Sequence, residues 1–491
     1  MIVPEHRISK FIQPVLFVSL ALLVLLTIAH AWVSWRTDFN MSGAAGAWTA
    51  LAADLKNGVF YRPLYGPLGY GGTRYFPLHF VIQAGLMSAG LHEVAAGRLI
   101  ELVSLVTLLV GIYLLLRRLG VQVWLSASSA LVALATPSVQ AVVGNIRGDV
   151  LPASLNLLGL VLCVKEAPSW RRIFAASTLF TLAFAAKPTT VFGLITAVVA
   201  FLLTRRSRDA WKLLAMTAGG YVLVLCAIQF ASGGRAFHIF AACALSGGNW
   251  VSIFLKGPLN TVIAAASDSP RNGVAFMILG FAALLGWRAD LGPIPPLLLA
   301  STTLVTAVIM GTPGADGNHL LDLYVASIIV FATWLSKQSE RGMNFGICLI
   351  AVATLFTLPE QLVTLRHDVI NGESNRQDSE RVLQLVENLQ KPVLADNPLL
   401  CIRAGQVPYV LDPFFFSVIN ARDSSFAEPL WQKMRAQAFG AVVLDTDPQS
   451  AFGQSWYGSI DFGPRFLDEL YRSYYLANRI GDQVIFLPKE E

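Results

Sequence analysis

The sequence predicts a mainly α, polytopic membrane helix bundle followed by a small extracytoplasmic α/β domain, and three observations carry that prediction. Of 491 residues, 55% are hydrophobic and only 14% are charged, with a mean hydropathy of +0.57, a membrane composition. As far as residue 365, short basic clusters separate a series of apolar runs. Residues 366–491 then hold 17 acidic and 12 basic residues, against 14 and 24 before them. The chain therefore divides into a basic membrane part, 1–365, and a mildly acidic soluble part, 366–491. The positive charge sits between apolar runs, where the positive-inside rule accounts for it, so no nucleic-acid partner is implied. Cys163, Cys226, Cys243 and Cys348 lie in or beside apolar runs and Cys401 in the soluble part, with neither metal-ligand spacing nor a disulfide framework.

The first run, residues 11–35, follows Arg7 and Lys10. Its length of about 25 residues suffices to cross a hydrocarbon core of roughly 30 Å. The basic flank places the N-terminus in the cytoplasm. Ala29-His30-Ala31 resembles a signal-cleavage site, but the length of the run and the spans behind it favour an uncleaved anchor. Five basic clusters mark later cytoplasmic turns: Arg117 and Arg118; Lys165, Arg171 and Arg172; Arg205, Arg206, Arg208 and Lys212; Arg288; and Lys337 with Arg341. The runs 99–116, 121–143, 150–164, 173–186, 189–203, 211–230, 273–287, 293–310, 320–335 and 345–358 then alternate inward and outward. With the first they make about 11 spans, 11 to 13 being allowed, in the inner (plasma) membrane, and the C-terminal domain lies outside. Residues 76–90 and 237–255 read as interfacial or re-entrant segments of the outer side.

Three outer loops follow from this topology, at 36–98, 233–272 and 311–319. The first carries a helix-like stretch at 44–55 and a segment dense in Tyr, Arg, Pro and Gly, from Tyr61-Arg62-Pro63 to Tyr75-Phe76-Pro77. A loop of that length rich in aromatics is expected to be ordered and functional. In the soluble part, helices are expected at 379–389, 428–439 and 465–477, and strands at 393–395, 407–411, 441–444 and 483–487, an alternation that makes a small α/β domain.

Ionisable groups at membrane depth are costly and persist mainly where they are paired or functional. The outer span ends carry Arg36, Asp38, Asn145, Arg147, Asp149, Lys187, Asn318, His319 and Asp322, which would face a common outer-leaflet cavity. Against that stands the reading that span ends are simply wet, that Arg147 and Asp149 form a structural pair and that Lys187 snorkels. There is no P-loop, Gly-x-Gly-x-x-Gly, Gly-x-Ser-x-Gly or His-Glu-x-x-His string. Asp445-Thr446-Asp447 has the Asp-x-Asp pattern but ends an expected strand, where aspartates serve turns.

A single N-terminal span, Asp38 just beyond it, an amphipathic stretch, Tyr75-Phe76-Pro77-Leu78, Arg98 opening the next span and an outer C-terminal domain together resemble the GT-C membrane glycosyltransferases. Protein O-mannosyltransferases and lipid A aminoarabinose transferases belong to that group. The likeness covers most of residues 1–340 and is one of layout and sparse residues. It implies a lipid-phosphate-linked sugar as donor, an outward-facing site at the first loop and an acidic residue after the first span as base, the position that Asp38 matches. The chain departs from the mannosyltransferase pattern in having Phe39 after Asp38, and from oligosaccharyltransferases in lacking a Trp-Trp-Asp string.

Elementary chemistry agrees with that implication. A lipid phosphate is already a good leaving group, so the site needs cations for its charge and one carboxylate for the acceptor's proton. Asp38 is assigned as base, with Asp149 the second catalytic candidate. Arg74, Arg147 and Lys187 are assigned to the phosphate, Tyr75 and Asn318 to substrate binding, and Asp149 and Asn318 also orient the cations. Direct displacement would invert the sugar carbon. No organic cofactor is implied, while a divalent metal is compatible with Asp38 and Asp149 converging. The expected partners are a lipid-linked sugar, an envelope lipid, glycan or protein acceptor, and membrane lipids. A polytopic transporter or lipid flippase is the alternative, and a non-catalytic envelope subunit a third reading; the long aromatic first loop and the want of a duplicated half weigh against transport.

Overall fold

The computed structural model describes residues 5–36, 41–164, 168–244, 251–267, 273–287, 292–312 and 314–490. Asp38, with Lys165 and Arg288 of the basic clusters, lies outside the described residues. The chain opens with α1 (Glu5–Arg36), and the first outer loop then folds as α2 (Gly43–Lys56), a hairpin of β1 (Tyr65–Gly66) and β2 (Gly69–Tyr70), and α3 (Pro77–Ser88). The apolar runs that follow are helical: α4 (Glu93–Arg118), α5 (Val123–Val132), α6 (Pro137–Val143), α7 (Val150–Cys163), α8 (Trp170–Ala186), α9 (Phe192–Leu203) and α10 (Ser207–Ala231). After α11 (Ala236–Ala244) and α12 (Gly257–Ser267) come α13 (Gly273–Leu285), α14 (Ile294–Met310), α15 (Leu321–Leu335) and α16 (Glu340–Glu387).

Five helical stretches among the described residues are each long and apolar enough to cross a membrane: Gln13–Arg36, Glu93–Arg118, Ser207–Ala231, Gly317–Leu335 and Glu340–Glu387. The run expected as one straight span at 121–143 is instead a broken pair, Val123–Ala135 and Pro137–Val143, bent by 71°. Pro137 explains the break, because it offers no N–H to the preceding turn and sits comfortably at the start of a new helix. The helices α7, α9, α13 and α14 are shorter; α9, with 12 residues, is only about 18 Å long. Their apolar faces close the interior with Leu105, Leu157, Phe180, Phe201, Leu299 and Ile329. On the perimeter, Leu223 and Phe230 of α10 are 72% and 90% exposed, as lipid-facing side chains are. The protein is a multi-pass membrane protein.

α16 differs from the expectation of a domain break near residue 365. It runs unbroken for 48 residues through that point, past Pro359, so the expected helix at 379–389 is its last turns. It packs along α1, and His30 Nε2 lies 3.3 Å from Asp368 Oδ2.

The soluble sheet has the order β3 (Val393–Ala395), β4 (Ala441–Leu444), β6 (Gln483–Pro488), β5 (Tyr474–Ile480); β3 pairs parallel with β4 and the other pairings are antiparallel. Around it lie α17 (Pro398–Arg403), α18 (Pro413–Asn420), α19 (Glu428–Arg435), α20 (Ala451–Ser455) and α21 (Phe466–Ser473). Two expectations are corrected here. The helix expected at 465–477 ends at Ser473, since Tyr474 and Tyr475 pair with Pro488 and Leu487 as the start of β5. The strand expected at 407–411 reduces to one bridge, Val410 to Tyr70, because its partner is the first outer loop rather than the sheet.

That bridge belongs to a broad joint. Tyr70 is fully buried in the soluble core, and its hydroxyl donates to Phe426 O at 2.9 Å. Arg62, 1% exposed, grips Asp54 through Nε and Nη2 at 2.5 and 2.6 Å, and its Nη1 donates to Pro408 O at 2.7 Å. A buried guanidinium is tolerable because the carboxylate and the carbonyl satisfy its fork. Asn397 Nδ2 donates to Met41 O at 2.8 Å. The first loop and residues 393–490 are therefore one packed body on one side of the bundle.

Candidate functional site

α6 ends at Gly144 and α7 begins after Asp149, so residues 144–149 form a tight turn at an end of the bundle. Gly148 makes that turn feasible: its φ is +70°, and a Cβ there would come within 2.6 Å of the Trp48 ring. Asp149 is 7% exposed. Its Oδ1 accepts from Lys187 Nζ at 2.5 Å and its Oδ2 from Asn318 Nδ2 at 2.7 Å. Lys187 stands just past the last residue of α8 in extended backbone, as a residue before proline must, and this carries its side chain off the helix axis. Asn318 and His319 lie on the short turn Gly317–Leu320 that leads into α15; Ser138 Oγ donates to Gly317 O at 3.0 Å and so ties this turn to α6.

Lys187 Nζ also lies 3.1 Å from His319 Nδ1. An ammonium only donates, so Nδ1 accepts and the imidazole proton sits on Nε2. Thr189, Thr190, Thr302 and Thr306 complete a small polar cavity of about 10 Å³, room for about one water, with Asp322 also in its wall. Lys187 is thus oriented by a carboxylate on one side and an imidazole on the other, which fixes its position without removing its access to the cavity. A fixed ammonium beside threonine hydroxyls and an amide is the composition of an anion-binding pocket.

Of the residues singled out in the sequence, Asp149, Lys187 and Asn318 are brought into direct contact. Arg147 sits on the same turn with its Nη1 3.9 Å from Asp316 Oδ2. Tyr75 is one wall removed: its ring stacks on Trp48 at 4.2 Å, and Trp48 Nε1 donates to Arg147 O at 3.2 Å. Burial chiefly, and Asp412 next, raise the Tyr75 phenol above its ordinary range, while Arg74, Asp149 and Arg147 are also within electrostatic reach of it. Arg74 is exposed at the loop surface with its guanidinium 5.1 Å over the Phe415 ring, within electrostatic reach of His319. Among the described residues no group of three His, Cys, Asp or Glu side chains is placed to hold a metal ion. Asp445 and Asp447 fall in a bend after β4, where Asn397 and Gln483 donate to the first and Arg479 to the second.

Sequence reasoning missed Glu101, His79 and Trp48. Glu101 is 1% exposed on the apolar helix α4, and His79 is fully buried 3.4 Å from it. An ionisable residue within an apolar span was the available signal for Glu101; His79 and Trp48 lie in loop helices, where no periodicity distinguishes them.

No family model matches the chain. Two thiol:disulfide interchange proteins DsbD of Neisseria meningitidis show partial likeness; the serogroup A protein is 29% identical over 175 residues, 35% of this chain and 26% of that protein. The chain thus spans about a quarter of the length of the curated relatives it matches. No disulfide joins the five cysteines among the described residues, and the nearest two in sequence are Cys226 and Cys243. Likeness to solved structures extends over nearly the whole chain. ArnT from Cupriavidus metallidurans, solved with undecaprenyl phosphate, matches 94% of this chain and 97% of its own at 11% identity and a TM-score of 0.60. The oligosaccharyltransferase AglB from Archaeoglobus fulgidus, solved with an inhibitory peptide and a dolichol-phosphate, matches 96% of this chain and 74% of its own at 12% identity and a TM-score of 0.57. The chain has the GT-C fold, that of the membrane glycosyltransferases ArnT and AglB.

Proposed function

We propose that the protein is a membrane glycosyltransferase that moves a sugar from a polyprenyl-phosphate donor to an acceptor at the outer face of the inner membrane. The observation that carries this reading is Lys187, held between Asp149 and His319 in a polar cavity at the end of the bundle. ArnT and AglB, which share the fold, were solved with polyprenyl phosphates, which supports a lipid-borne phosphate as the ligand at this end of the bundle. In this reading Lys187 and Arg147 neutralise the phosphate, with Arg74 at the loop surface receiving the approaching head group. The acceptor's oxygen attacks the anomeric carbon and its proton passes to Asp38. The carbon–oxygen bond to phosphate breaks with its electron pair, releasing polyprenyl phosphate and inverting the sugar carbon.

The topology in this proposal has about eleven crossings, an inner N-terminus and residues 366–491 outside. Support comes from the joint between the first loop and the soluble domain, which has those two parts share a side. Alkaline phosphatase joined after residue 390 should be active and one joined after Ser207 inactive; the reverse would invert the assignment. For the activity, cells lacking the protein should accumulate a polyprenyl-phosphate sugar, and purified protein should discharge it. A sugar-lipid pool unchanged by deletion would remove the donor class. A pool stranded on one leaflet would instead favour the flippase reading.

A further inference from the structure

α4 approaches the 144–149 turn with two charged side chains one helical turn apart. Arg98 donates to Ser34 O, at the end of α1, and at 3.4 Å to Gly144 O, while its Nη2 reaches Met41 Sδ at 3.4 Å. Glu101 Oε1 accepts from the backbone N–H groups of Arg147 and Gly148 at 2.9 and 2.6 Å. Two consecutive amides converging on one carboxylate oxygen form a small anion nest, here filled by a residue of the protein itself. His79 Nε2 stands 3.4 Å from the same oxygen, and its ring lies 4.7 Å from that of Trp48. Trp48 in turn holds Arg147 O and blocks any side chain at position 148. Glu101 Oε2 has no hydrogen-bond partner among the described residues. A carboxylate 1% exposed in an apolar helix is too costly to serve as filler, so its two amide contacts and the imidazole must justify it.

We propose that Glu101 is a positioning residue of the candidate site: it fixes the backbone of the Arg147–Gly148 turn and thereby sets Arg147 and Asp149, hence Lys187, for a lipid-borne phosphate. The ligand half of this statement rests on the functional reading above; the backbone half does not. Glu101 touches no substrate in this role. Its effect passes through the direction in which Arg147 and Asp149 leave the turn.

The full-length protein in lipid nanodiscs allows both halves to be tested. Glu101→Gln keeps an acceptor oxygen for the two amides, and Glu101→Leu removes it. Hydrogen exchange over residues 145–150 should quicken by about tenfold or more in the Leu variant and stay within about threefold of wild type in the Gln variant. Unchanged exchange in a folded Leu variant overturns the clamp whatever the protein binds. The probe for the second half is undecaprenyl phosphate. Arg147→Ala should weaken its binding in the wild-type background and add little in the Glu101→Leu background, whereas equal losses in both overturn the positioning role. Should Glu101→Leu fail to fold, Gly148→Ala, which forces Trp48 off the turn, replaces it in the same cycle. Wild-type protein that does not bind the probe, with exchange quickened as expected, defeats the functional reading and leaves the backbone clamp standing.

Discussion

Two parts of the molecule bury carboxylates at the end of a secondary-structure element, and they resolve the cost in opposite ways. At the end of the bundle, Asp149 is satisfied by an ammonium and an amide, Lys187 and Asn318, and Arg147 stands on the same turn. In the soluble domain, Asp396 is 6% exposed beside β4, yet no cation approaches within ion-pair distance among the described residues. Tyr457 OH donates to its Oδ2 at 2.6 Å and the Asp445 N–H to both oxygens. Burial, and then the neighbouring Asp445, hold Asp396 well above the usual carboxylate range. One cluster pairs its carboxylate with an ammonium beside a small polar cavity; the other satisfies its carboxyl with a phenol and a backbone amide and knits β3 to β4. Buried carboxylates alone therefore do not single out a candidate site; the cation beside Asp149 is what separates the two clusters.

The largest effect should come from Asp38→Asn. If Asp38 takes the acceptor's proton, the amide cannot, and general-base catalysis contributes about 10²- to 10⁴-fold, so transfer from a polyprenyl-phosphate sugar in liposomes should fall at least about 10²-fold. Near wild-type transfer by a folded variant would pass the role to Asp149. Next is Lys187→Ala, which removes the ammonium from the cavity and leaves Asp149 buried beside Asn318 alone. A charged hydrogen bond is worth about 1.5–3 kcal/mol, so donor KM should rise roughly 10- to 100-fold. A loss confined to thermal stability, with KM unmoved, would reduce Lys187 to a structural partner and erase the contrast with Asp396.

How much of this was legible in the sequence depends on the range of the contact. Apolar periodicity and basic clusters gave the helices of the bundle, because each depends on neighbours a few residues away. Asp149, Lys187 and Asn318 were each visible as polar groups at span ends, although their meeting spans 169 residues and only the fold supplies it. Arg74 was visible as a cation of the first outer loop, while its seat over the Phe415 ring, 341 residues away, comes only from the fold. The misjudged elements share one cause: 407–411 and 465–477 have local patterns that tertiary partners override, Tyr70 for the first and β6 for the second. The 48-residue α16 escaped because composition changes at residue 366 while helix propensity does not.

Changing Asp445 and Asp447 together to Asn should leave transfer within about twofold of wild type, the range of substitutions that keep their contacts. Asn at 445 can still accept from one of Asn397 and Gln483, which donate to opposite oxygens of the carboxylate, and Asn at 447 loses its exposed pairing with Arg479. A fall as deep as that of Asp38→Asn would move the chemistry into the soluble domain. It would also make the Asn397 link to Met41 a catalytic connection rather than a structural one.

The smallest effect concerns stability alone. Asp412 caps α18, accepting from the Phe415 N–H at 3.2 Å, but it is 7% exposed, and burial pushes its carboxyl up to about 6 against an ordinary 3.8. Between those values the unfolded chain has released the proton that the folded chain keeps. Stability from this group is therefore complete below about pH 4 and is lost as pH rises through about 6. Asp412→Asn keeps the cap and cannot ionise, so it should match wild type at pH 4 and unfold later than wild type at pH 8, by on the order of 3 kcal/mol. Transfer at neutral pH should not change. A stability difference of the same size at both pH values would mean that the cap geometry, and not the buried charge, sets the effect.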